Sequence, residues 1–296
     1  MELVLTLVSP DPATATAAAD RARSALAGAG MAVKTPTPLG EGAFDLPVLA
    51  ARDAAEAVVA TDLDGLPVDW CVQPAAGRRK RLLIADMDST IINVECIDEL
   101  ADFAGVKDKV SEITERAMRG ELDFEAALRE RVAMLKGLPL ADLQRAYDQR
   151  VRLNPGARTL VRTMTANGAK AFLVSGGFSF FTSRVAQAAG FDANRANTLI
   201  DADGVLAGTV GEPILGREAK LAALKEEAAA LGLPLSATLA VGDGANDLAM
   251  IEASGLGVAY RAKPIVAAQA HTKVDHADLT ALLHFQGYRA DDFVTD

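Results

Sequence analysis

Apolar and polar residues alternate in two different ways along the chain, and the change falls near residue 76. Before it, LVLTLV, MAVKTP, AFDLPVL and VDWCVQP are short apolar runs of the kind that form strands. Residues 13–29 and the stretch RDAAEAVVAT have helical patterns instead. This βαββαβ order predicts a small ferredoxin-like domain over residues 1–76.

After residue 82 the chain alternates strands with helices. RLLIAD, AKAFLVSGG and ATLAVGDG are apolar runs that end in small or acidic residues, and helical patterns at 156–167 and 216–232 separate them. The alternation predicts an α/β fold over residues 77–296, built on a doubly wound parallel sheet. Ligands bind at the carboxyl ends of such strands. The polar residues that end these runs are therefore expected to meet there: Asp86, Ser175 and Asp243.

A long helical insertion follows the first of these strands. It extends from about residue 96 to about 153, from CIDELADFAG to LQRAYDQRVRL, and is predicted to form a cap above the sheet edge. Further on, LIDADGVLAGTV predicts a hairpin that turns at Asp203 and Gly204. The tail LTALLHFQGYRADDFV predicts a terminal helix and an extension that docks on the domain.

Composition narrows the classes of protein that the chain can represent. No apolar run is long enough to cross a bilayer, and the N-terminal MELVLTLVSPD lacks the basic start of a signal peptide. Cys71 and Cys96 are interpreted as reduced thiols of a cytoplasmic protein. The formal net charge of -10 argues against nucleic-acid binding. The basic cluster from Arg78 to Arg81 is interpreted as a solvated linker, with a phosphate-contacting patch as the alternative.

Asp86 and Asp88 follow the strand RLLIA directly. On an extended backbone, residues two apart point to the same side, so both carboxylates are predicted to face one pocket. An Asx turn that only closes the strand is the alternative. Two buried carboxylates repel each other, and a hard divalent cation such as Mg²⁺ relieves that repulsion. One carboxylate then stays ionised as a nucleophile while the other titrates as an acid.

Further segments add polar groups to the same edge. VGDGAND contributes Asp243 and Asp247, or else forms only a glycine-rich turn and a helix cap. LVSGGF contributes the Ser175 hydroxyl and glycine amides, which suit phosphoryl oxygens, or else a simple turn. Lys220 is a candidate to neutralise a phosphate, although a solvated side chain is the default for a single lysine.

The cap helix FEAALRERVAML places a charged residue on an apolar face. Its apolar stripe is formed by residues at helical spacing: Phe124, Leu128, Arg131 and Leu135. The Arg131 guanidinium is predicted to bind a substrate carboxylate through two hydrogen bonds, with a snorkelling side chain as the alternative. Glu95, where the cap begins, is predicted to bind an ammonium group; a favourable contact with a helix dipole is the alternative.

The motifs DMDST, SGG, Lys220 and GDGAND, in this order, resemble the four motifs of the haloacid-dehalogenase-like phosphohydrolases. The match spans residue 82 to about residue 260 and is specific as a combination, although each motif alone is weak. Within that superfamily the chain is similar to the phosphoserine phosphatases. The similarity lies in DMDSTIINVECIDELA, ITERAMRGELDFEAALRERVAML, VSGGF and VGDGANDLAMI.

The resemblance implies Mg²⁺-dependent hydrolysis of O-phospho-L-serine, the last step of serine biosynthesis. It implies that Asp86 attacks the phosphorus and that Asp88 acts as general acid and then as general base. Mg²⁺ would be bound by Asp86, the Asp88 main-chain carbonyl and Asp243, and Asp247 would support either the metal site or Lys220. The resemblance also implies a set of substrate-binding residues: Glu95, Phe124, Arg131, Ser175, Gly176, Lys220 and Asn246.

Other interpretations stay open. Residues 1–76 resemble a divergent ACT domain, an amino-acid-binding regulatory module, but SPDPATATA stands where its glycine-bearing loop is expected. Serine sensing, a homodimer through this domain and a purely structural role are therefore alternatives. A phosphatase or phosphotransferase for another small amine phosphate, such as phosphohomoserine, competes with the main interpretation. A signalling receiver is a more distant rival, because receivers lack the large cap.

Overall fold

The computed structural model describes residues 1–118 and 121–295, so Arg119 and Gly120 of the cap sequence lie outside the described residues. Its N-terminal part consists of β1 (Glu2–Val8), α1 (Pro12–Gly28), β2 (Ala32–Val33), β3 (Thr37–Gly40), β4 (Ala43–Leu49), α2 (Arg52–Asp62) and β5 (Asp69–Pro74). The strands pair antiparallel in the order β2-β4-β1-β5, and β3 also pairs with β4. The predicted order of strands and helices is confirmed.

The predicted strand MAVKTP is only partly correct. β2 ends at Val33, and pairing with β4 resumes at Thr37. Pro36, in the gap between the two strands, lacks the backbone N–H that a strand donates to its neighbour, which fits the interruption, whereas Pro38 lies within β3 opposite Phe44. Prolines are tolerated in this strand because it lies at the edge of the sheet.

The second sheet carries the predicted chemistry. Its strands are β6 (Leu82–Ala85), β7 (Lys170–Phe178), β8 (Ala193–Asn197), β11 (Thr238–Gly242), β12 (Leu256–Tyr260) and β13 (Thr272–Val274). They run parallel in the order β13-β12-β11-β6-β7-β8. β6 is the first of them in the chain and lies between β11 and β7. The chain therefore winds away from β6 in both directions, which opens a crevice at its carboxyl end.

The cap lies between β6 and β7 in the chain. It consists of α3 (Cys96–Phe103), α4 (Lys107–Met118), α5 (Phe124–Ala133) and α6 (Leu140–Arg150). The Asp123 side chain caps α5 by accepting a hydrogen bond from the Ala126 N–H. A backbone bridge between Ile92 and Leu153 brings the two ends of the insertion together. The cap is therefore joined to the sheet through a narrow neck.

Helices cover both faces of the parallel sheet. They are α7 (Ala157–Ala166), α8 (Ser179–Ala189), α9 (Arg217–Ala230), α10 (Leu248–Ala253), α11 (Pro264–Ala267) and α12 (Ala281–Phe285). Leu224 of α9 and Ile251 of α10 pack on one face, whereas Leu160 of α7 and Phe181 of α8 pack on the other. β6 is buried on both sides, which explains its continuous apolar sequence. None of the described helices is long and apolar enough to span a membrane.

The predicted hairpin is formed by β9 (Leu199–Ala202) and β10 (Val205–Val210). Asp203 and Gly204 lie in its turn at φ values of 51° and 81°, as a tight hairpin turn requires. The hairpin also bonds to the cap. The Gly137 N–H donates to the Leu206 carbonyl, and the Leu206 N–H donates to the Leu138 carbonyl. The hairpin therefore fastens one side of the cap to the sheet.

Polar side chains also fasten the N-terminal sheet to the parallel sheet. The Asp69 carboxylate, which is 3% exposed, accepts hydrogen bonds from the backbone N–H groups of Asp275, His276 and Ala277. Gln73 donates to the Phe285 carbonyl. Apolar residues of the N-terminal part belong to the same core as the parallel sheet: Val8, Leu39, Ala43 and Cys71. The two parts of the chain therefore share a core.

The interpretation of Arg78 to Arg81 as a solvated linker is wrong for Arg78 and Lys80, whereas Arg79 and Arg81 are exposed as expected. Lys80 is 7% exposed and donates hydrogen bonds to the carbonyls of Gly77 and Ser236. The Arg78 guanidinium pairs with the Asp45 carboxylate at 2.5 Å. These cations find acceptors on segments far away in the sequence, so the basic cluster belongs to the junction between the two sheets.

Acid is expected to weaken the fold through His284. Its side chain is buried, and its Nδ1 lies 3.1 Å from the Tyr288 carbonyl. Burial is the main cause that lowers the pKa of His284. Below the ordinary histidine pKa of about 6.5, the folded protein therefore binds fewer protons than the unfolded chain. Stability should fall as the pH drops through that value, by at most about 1.4 kcal/mol per pH unit for this group.

Denaturant unfolding at about pH 7.5 and about pH 5.5 measures this loss. His284→Asn keeps an N–H near the Tyr288 carbonyl and is expected to show a smaller loss than the wild type. Part of the loss should persist, because burial also lowers the pKa of His271. The exposed His276 provides the control, and His276→Asn should behave as the wild type does. An identical loss in His284→Asn and the wild type would show that His284 does not titrate with folding.

Candidate active site

β6 delivers Asp86 to the sheet edge in a fixed position. The Asp86 N–H donates to the Val241 carbonyl of β11 at 3.0 Å, and the Asp86 side chain is buried. Ser89 then adopts a positive φ of 56°, which turns the chain out of the strand direction and toward the cap. The sequence DMDST therefore folds as a tight turn that presents Asp86 and Asp88 to one cavity, as predicted.

The Asp88 carboxylate is held by donors from two other segments. Its Oδ1 accepts from the Cys96 N–H at 2.9 Å, and its Oδ2 accepts from the Ser175 hydroxyl at 3.1 Å. Gly177 leaves room for it, since a Cβ there would lie 2.8 Å from Oδ2. Burial first, and then the charge of Glu95, raise the pKa of Asp88 to about 6. A carboxyl group with this pKa is suited to general acid catalysis near neutral pH.

One buried ammonium group joins two carboxylates. Lys220 Nζ lies 2.6 Å from Asp86 Oδ1 and 2.5 Å from Asp247 Oδ1. Burial alone would lower the pKa of Lys220, but the carboxylates of Asp247 and Asp86 outweigh it and the pKa is raised. Lys220 is therefore a charged residue inside the protein at the predicted site, and the alternative of a solvated lysine is excluded.

Carboxylates crowd this edge of the sheet. Oxygens of Asp86, Asp243 and Asp247 lie within 4.8 Å of one another. Burial raises the pKa of Asp243 to about 7 and that of Asp86 well above its ordinary value, and neighbouring carboxylates add to both shifts. Carboxylate oxygens are the ligands that hard divalent cations prefer, and such a cation would relieve the repulsion. The donor set therefore fits a divalent metal ion.

Asp88 stands apart from this carboxylate group. Its side chain points to Ser175 and Cys96 instead, so its contact with a metal through the main-chain carbonyl stays a prediction. The Ser175 hydroxyl also accepts a hydrogen bond from the Gly177 N–H at 2.8 Å. In this structure that amide is bonded to Ser175 rather than open to an anion, in contrast to the expected cradle of free glycine amides.

Two residues that sequence analysis did not single out hold the site together. The Thr90 hydroxyl donates to Asp243 Oδ1 at 3.1 Å. The Asn197 amide nitrogen donates to the carbonyls of Gly176 and Leu215, and its oxygen accepts from the Leu215 N–H. Asn197 therefore ties the glycine segment at the end of β7 to the residue pair before α9. Thr90 belongs to the DMDST motif, whereas nothing in the local sequence distinguishes Asn197.

The predicted apolar face is confirmed over α5 and the residues just after it, since the helix ends at Ala133. Leu128 and Leu135 are buried, Arg131 is 7% exposed, and Phe124 packs against the core. The Phe124 ring packs directly on the backbone of Gly176, where the absence of a side chain leaves room for it. A Cβ at Gly176 would lie 3.0 Å from Phe124 Cζ. The cap therefore touches the sheet edge directly at this point.

Glu95 begins the cap as the residue that precedes α3. Its side chain does not cap the helix; Oε1 instead accepts from the Ser89 hydroxyl at 2.6 Å. The carboxylate faces the same cavity as Arg131 and Asp88. The main contacts of the Glu95 carboxylate are therefore with Ser89 and the cavity, rather than with the dipole of α3.

A cavity of ≈ 820 Å³ lies between the cap and the sheet edge. Most of the predicted site residues line it: Asp86, Asp88, Glu95, Phe124, Arg131, Ser175, Gly176, Asp243 and Asn246. Lys220 and Asp247 are buried behind this wall, at 2% and 0% exposure. Another cavity of ≈ 820 Å³, between α2 and β13, is lined by none of the predicted site residues. The chemistry therefore belongs to the cavity under the cap.

Comparison with known families agrees with this geometry. Residues 83–252 match the family described as haloacid dehalogenase-like hydrolase. This chain belongs to the haloacid dehalogenase-like hydrolases. The family assignment that the motifs suggested is confirmed, and with it the α/β fold with a parallel sheet.

Relatives of this hydrolase include proteins named phosphoserine phosphatase. That of Streptococcus thermophilus is 50% identical over 200 residues, which are 68% of this chain and 93% of the relative. That of Streptomyces coelicolor is 46% identical over 231 residues, which are 77% of this chain. The chain spans 56% of the Streptomyces protein, so the two differ in what lies outside the matched region.

Solved structures of other hydrolases share the fold. A haloacid dehalogenase family hydrolase from Salmonella enterica serovar Typhi matches with a TM-score of 0.83 at 29% identity, over 96% of this chain and 98% of the other. A phospho-aspartyl intermediate analogue of phosphoserine phosphatase matches with a TM-score of 0.66 at 39% identity, over 70% of this chain and 99% of the other. The first match extends over both sheets.

Removal of divalent metal is expected to lower the thermal stability of this hydrolase. A cation that binds only the folded state stabilises it by mass action, by about 2.7 kcal/mol at a concentration a hundredfold above its Kd. The melting temperature should therefore be lower in chelator than in saturating Mg²⁺. Scanning calorimetry at neutral pH measures the difference.

Asp243→Asn removes one charge from the carboxylate group and should reduce this Mg²⁺-dependent shift. Asp142→Asn is the matched control, because Asp142 pairs with Arg145 on the cap, away from the carboxylates. It should show the shift of the wild type. If Asp243→Asn also kept the full shift, the metal site would have to lie elsewhere.

Proposed function

We propose that this chain hydrolyses O-phospho-L-serine to L-serine and phosphate in a Mg²⁺-dependent reaction, the last step of serine biosynthesis. One observation carries the proposal. Asp86 and Asp88 on the sheet edge and Arg131 and Glu95 on the cap face the same cavity. Groups suited to phosphoryl transfer and groups suited to the two charges of an amino acid therefore share one space. The relatives named phosphoserine phosphatase support the same conclusion.

Asp86 is the nucleophile of the first step. Lys220 binds its Oδ1 at 2.6 Å, which leaves Oδ2 to attack the phosphorus. The bond between phosphorus and the serine oxygen breaks as the bond to Asp86 forms, and the proton of Asp88 passes to the serine oxygen. With a pKa of about 6, Asp88 is protonated in part of the enzyme at neutral pH.

Asp88 acts as a base in the second step. It takes a proton from a water molecule, whose oxygen attacks the phosphorus of the aspartyl-phosphate. The bond from phosphorus to Asp86 breaks and inorganic phosphate leaves, so Asp86 is ionised and Asp88 protonated as before. The Cys96 N–H and the Ser175 hydroxyl keep the Asp88 carboxylate in one orientation throughout.

The remaining site residues position charge. Ser175, Gly176 and Lys220 bind the phosphoryl oxygens, and Asp247 holds Lys220 through its 2.5 Å contact. Asp86, Asp243 and the Asp88 main-chain carbonyl would hold Mg²⁺, which would supply charge neutralisation for the phosphoryl group when bound. Most of the barrier lowering then comes from orientation and electrostatic stabilisation.

Substrate selection is assigned to the cap side of the cavity. The Arg131 guanidinium binds the serine carboxylate, and the Glu95 carboxylate binds the serine ammonium group. Phe124 closes over Gly176, and Asn246 lies on the opposite wall. Phosphohomoserine stays a competing substrate, because one methylene group changes binding by only about 1–3 kcal/mol.

We also propose a division into domains at residues 1–76 and 77–296, with the cap at about 96–153. The core shared between the two sheets supports a structural role for the N-terminal, ACT-like domain. A homodimer through this domain would have to use α1, α2 or the edge strands, because the other face of the sheet packs against the parallel-sheet part. Cys71 and Cys96 are buried free thiols, which fits a cytoplasmic enzyme.

Asp86→Asn is expected to lower phosphate release from phosphoserine by a factor on the order of 10³ or more, since an amide is a poor nucleophile. The assay is phosphate release in Mg²⁺, with a chelator arm and with phosphohomoserine and aryl phosphates in parallel. Asp201→Asn, in the hairpin, is the control and should retain activity. Near-normal turnover by Asp86→Asn would rule out the covalent mechanism.

Arg131→Ala should lower kcat/KM for phosphoserine by about tenfold to a hundredfold, because a charged hydrogen-bonded contact is lost. An uncharged aryl phosphate should lose far less. Arg129→Ala is the matched control: Arg129 pairs with Glu125 and Glu212 on an exposed face of the same helix. Equal losses on both substrates would remove Arg131 from carboxylate recognition.

A further inference from the structure

The Arg131 guanidinium is already held by the protein at two of its nitrogens. Its Nε donates to the Ala127 carbonyl at 3.1 Å, and its Nη1 donates to the Thr114 hydroxyl at 3.0 Å. Ala127 lies on the same helix, one turn earlier, whereas Thr114 lies on α4 across the cap. Contacts from two helices therefore define the position of the guanidinium.

These contacts restrict how Arg131 can bind a carboxylate. A guanidinium offers donors along one side, from Nε and one terminal nitrogen, or at its end, from both terminal nitrogens. The Ala127 carbonyl occupies Nε, so a ligand carboxylate has to bind at the terminal nitrogens. The orientation of the guanidinium plane then decides whether both carboxylate oxygens are reached.

Thr114 has the geometry of an acceptor dedicated to this arginine. Its side chain is 6% exposed, and its hydroxyl donates to the Val110 carbonyl at 3.0 Å, one turn back on α4. That bond directs the hydroxyl proton away from Arg131 and leaves a lone pair for Nη1. Asp98 Oδ1 lies 3.4 Å from the same hydroxyl and adds negative charge beside the guanidinium.

We propose that Thr114 is a specificity-determining positioning residue. It fixes the plane of the Arg131 guanidinium, and so makes the site select phosphate esters that carry a carboxylate. Thr114 itself does not touch the reacting atoms. The inference rests on the proposed role of Arg131 in carboxylate binding and goes one step further, because it identifies the contact that makes that arginine selective.

A packing role for Thr114 predicts something different. Valine has nearly the same shape as threonine but no hydroxyl, so Thr114→Val preserves the packing and removes only the acceptor. If Thr114 only filled space between α4 and α5, this variant would bind all substrates as the wild type does. Thr114→Ser keeps the hydroxyl and loses a methyl group, and so provides the opposite change.

The decisive experiment compares two substrates that differ only in the carboxylate: O-phosphoserine and O-phosphoethanolamine. Thr114→Val should lower kcat/KM for phosphoserine by about tenfold, mostly through KM, which is the loss expected for one hydrogen bond to a charged group. The value for phosphoethanolamine should change less than about twofold. Thr114→Ser should restore most of the preference. If phosphoethanolamine is not hydrolysed, its inhibition constant against an aryl phosphate gives the same comparison.

The outcomes distinguish the proposed role of Thr114 from the proposed role of Arg131 on which it rests. Equal losses on both substrates in Thr114→Val, or no loss on either, would overturn the role of Thr114. Arg131→Ala, measured on the same pair of substrates, tests whether Arg131 recognises the carboxylate. If Arg131→Ala discriminates between the substrates and Thr114→Val does not, only the inference about Thr114 is wrong. If Arg131→Ala fails to discriminate, carboxylate recognition by Arg131 is wrong as well.

Discussion

The contact of Lys220 with Asp86 and Asp247 is the interaction on which the catalytic edge depends. A single ammonium group connects the end of β6, the loop after β11 and the helix α9. Buried charges are stable only where their partners lie at short, fixed distances, and removal of one partner costs about 3–5 kcal/mol. The packing of β6 between β7 and β11 supplies that rigidity. The strand packing therefore fixes the positions of the catalytic charges, and the pairing of those charges in turn holds the three segments together.

The parts of the site that could be predicted from sequence are those set by a local period. Asp86, Ser175 and Asp243 each end an apolar run, and the ends of parallel strands meet at one edge of the sheet. The helical period of FEAALRERVAML likewise placed Arg131 on the inner face of the cap. In both cases the physical rule needs only a few consecutive residues. Family resemblance then supplied the roles.

The parts that could not be predicted depend on contacts between distant segments. Asn197 satisfies backbone groups of Gly176 and Leu215, and Lys80 satisfies carbonyls at Gly77 and Ser236. A basic cluster has the same sequence whether water or carbonyl oxygens surround it. Its surroundings are decided by how the two sheets pack, which no local pattern contains. The break in the strand before Thr37 is an intermediate case. A proline in the sequence shows where pairing can be interrupted, but only the position of the strand at the sheet edge explains why proline is accepted there.

The cap is attached to the rest of the chain differently at the two ends of α5. Backbone hydrogen bonds from the β9–β10 hairpin hold the chain at Gly137 and Leu138, beyond one end of α5. Phe124, at the other end of this helix, only rests against glycine backbone. The two ends of α5 are therefore held by different kinds of contact: main-chain hydrogen bonds just beyond its C-terminal end, and the packing of the Phe124 ring on glycine backbone at its N-terminal end.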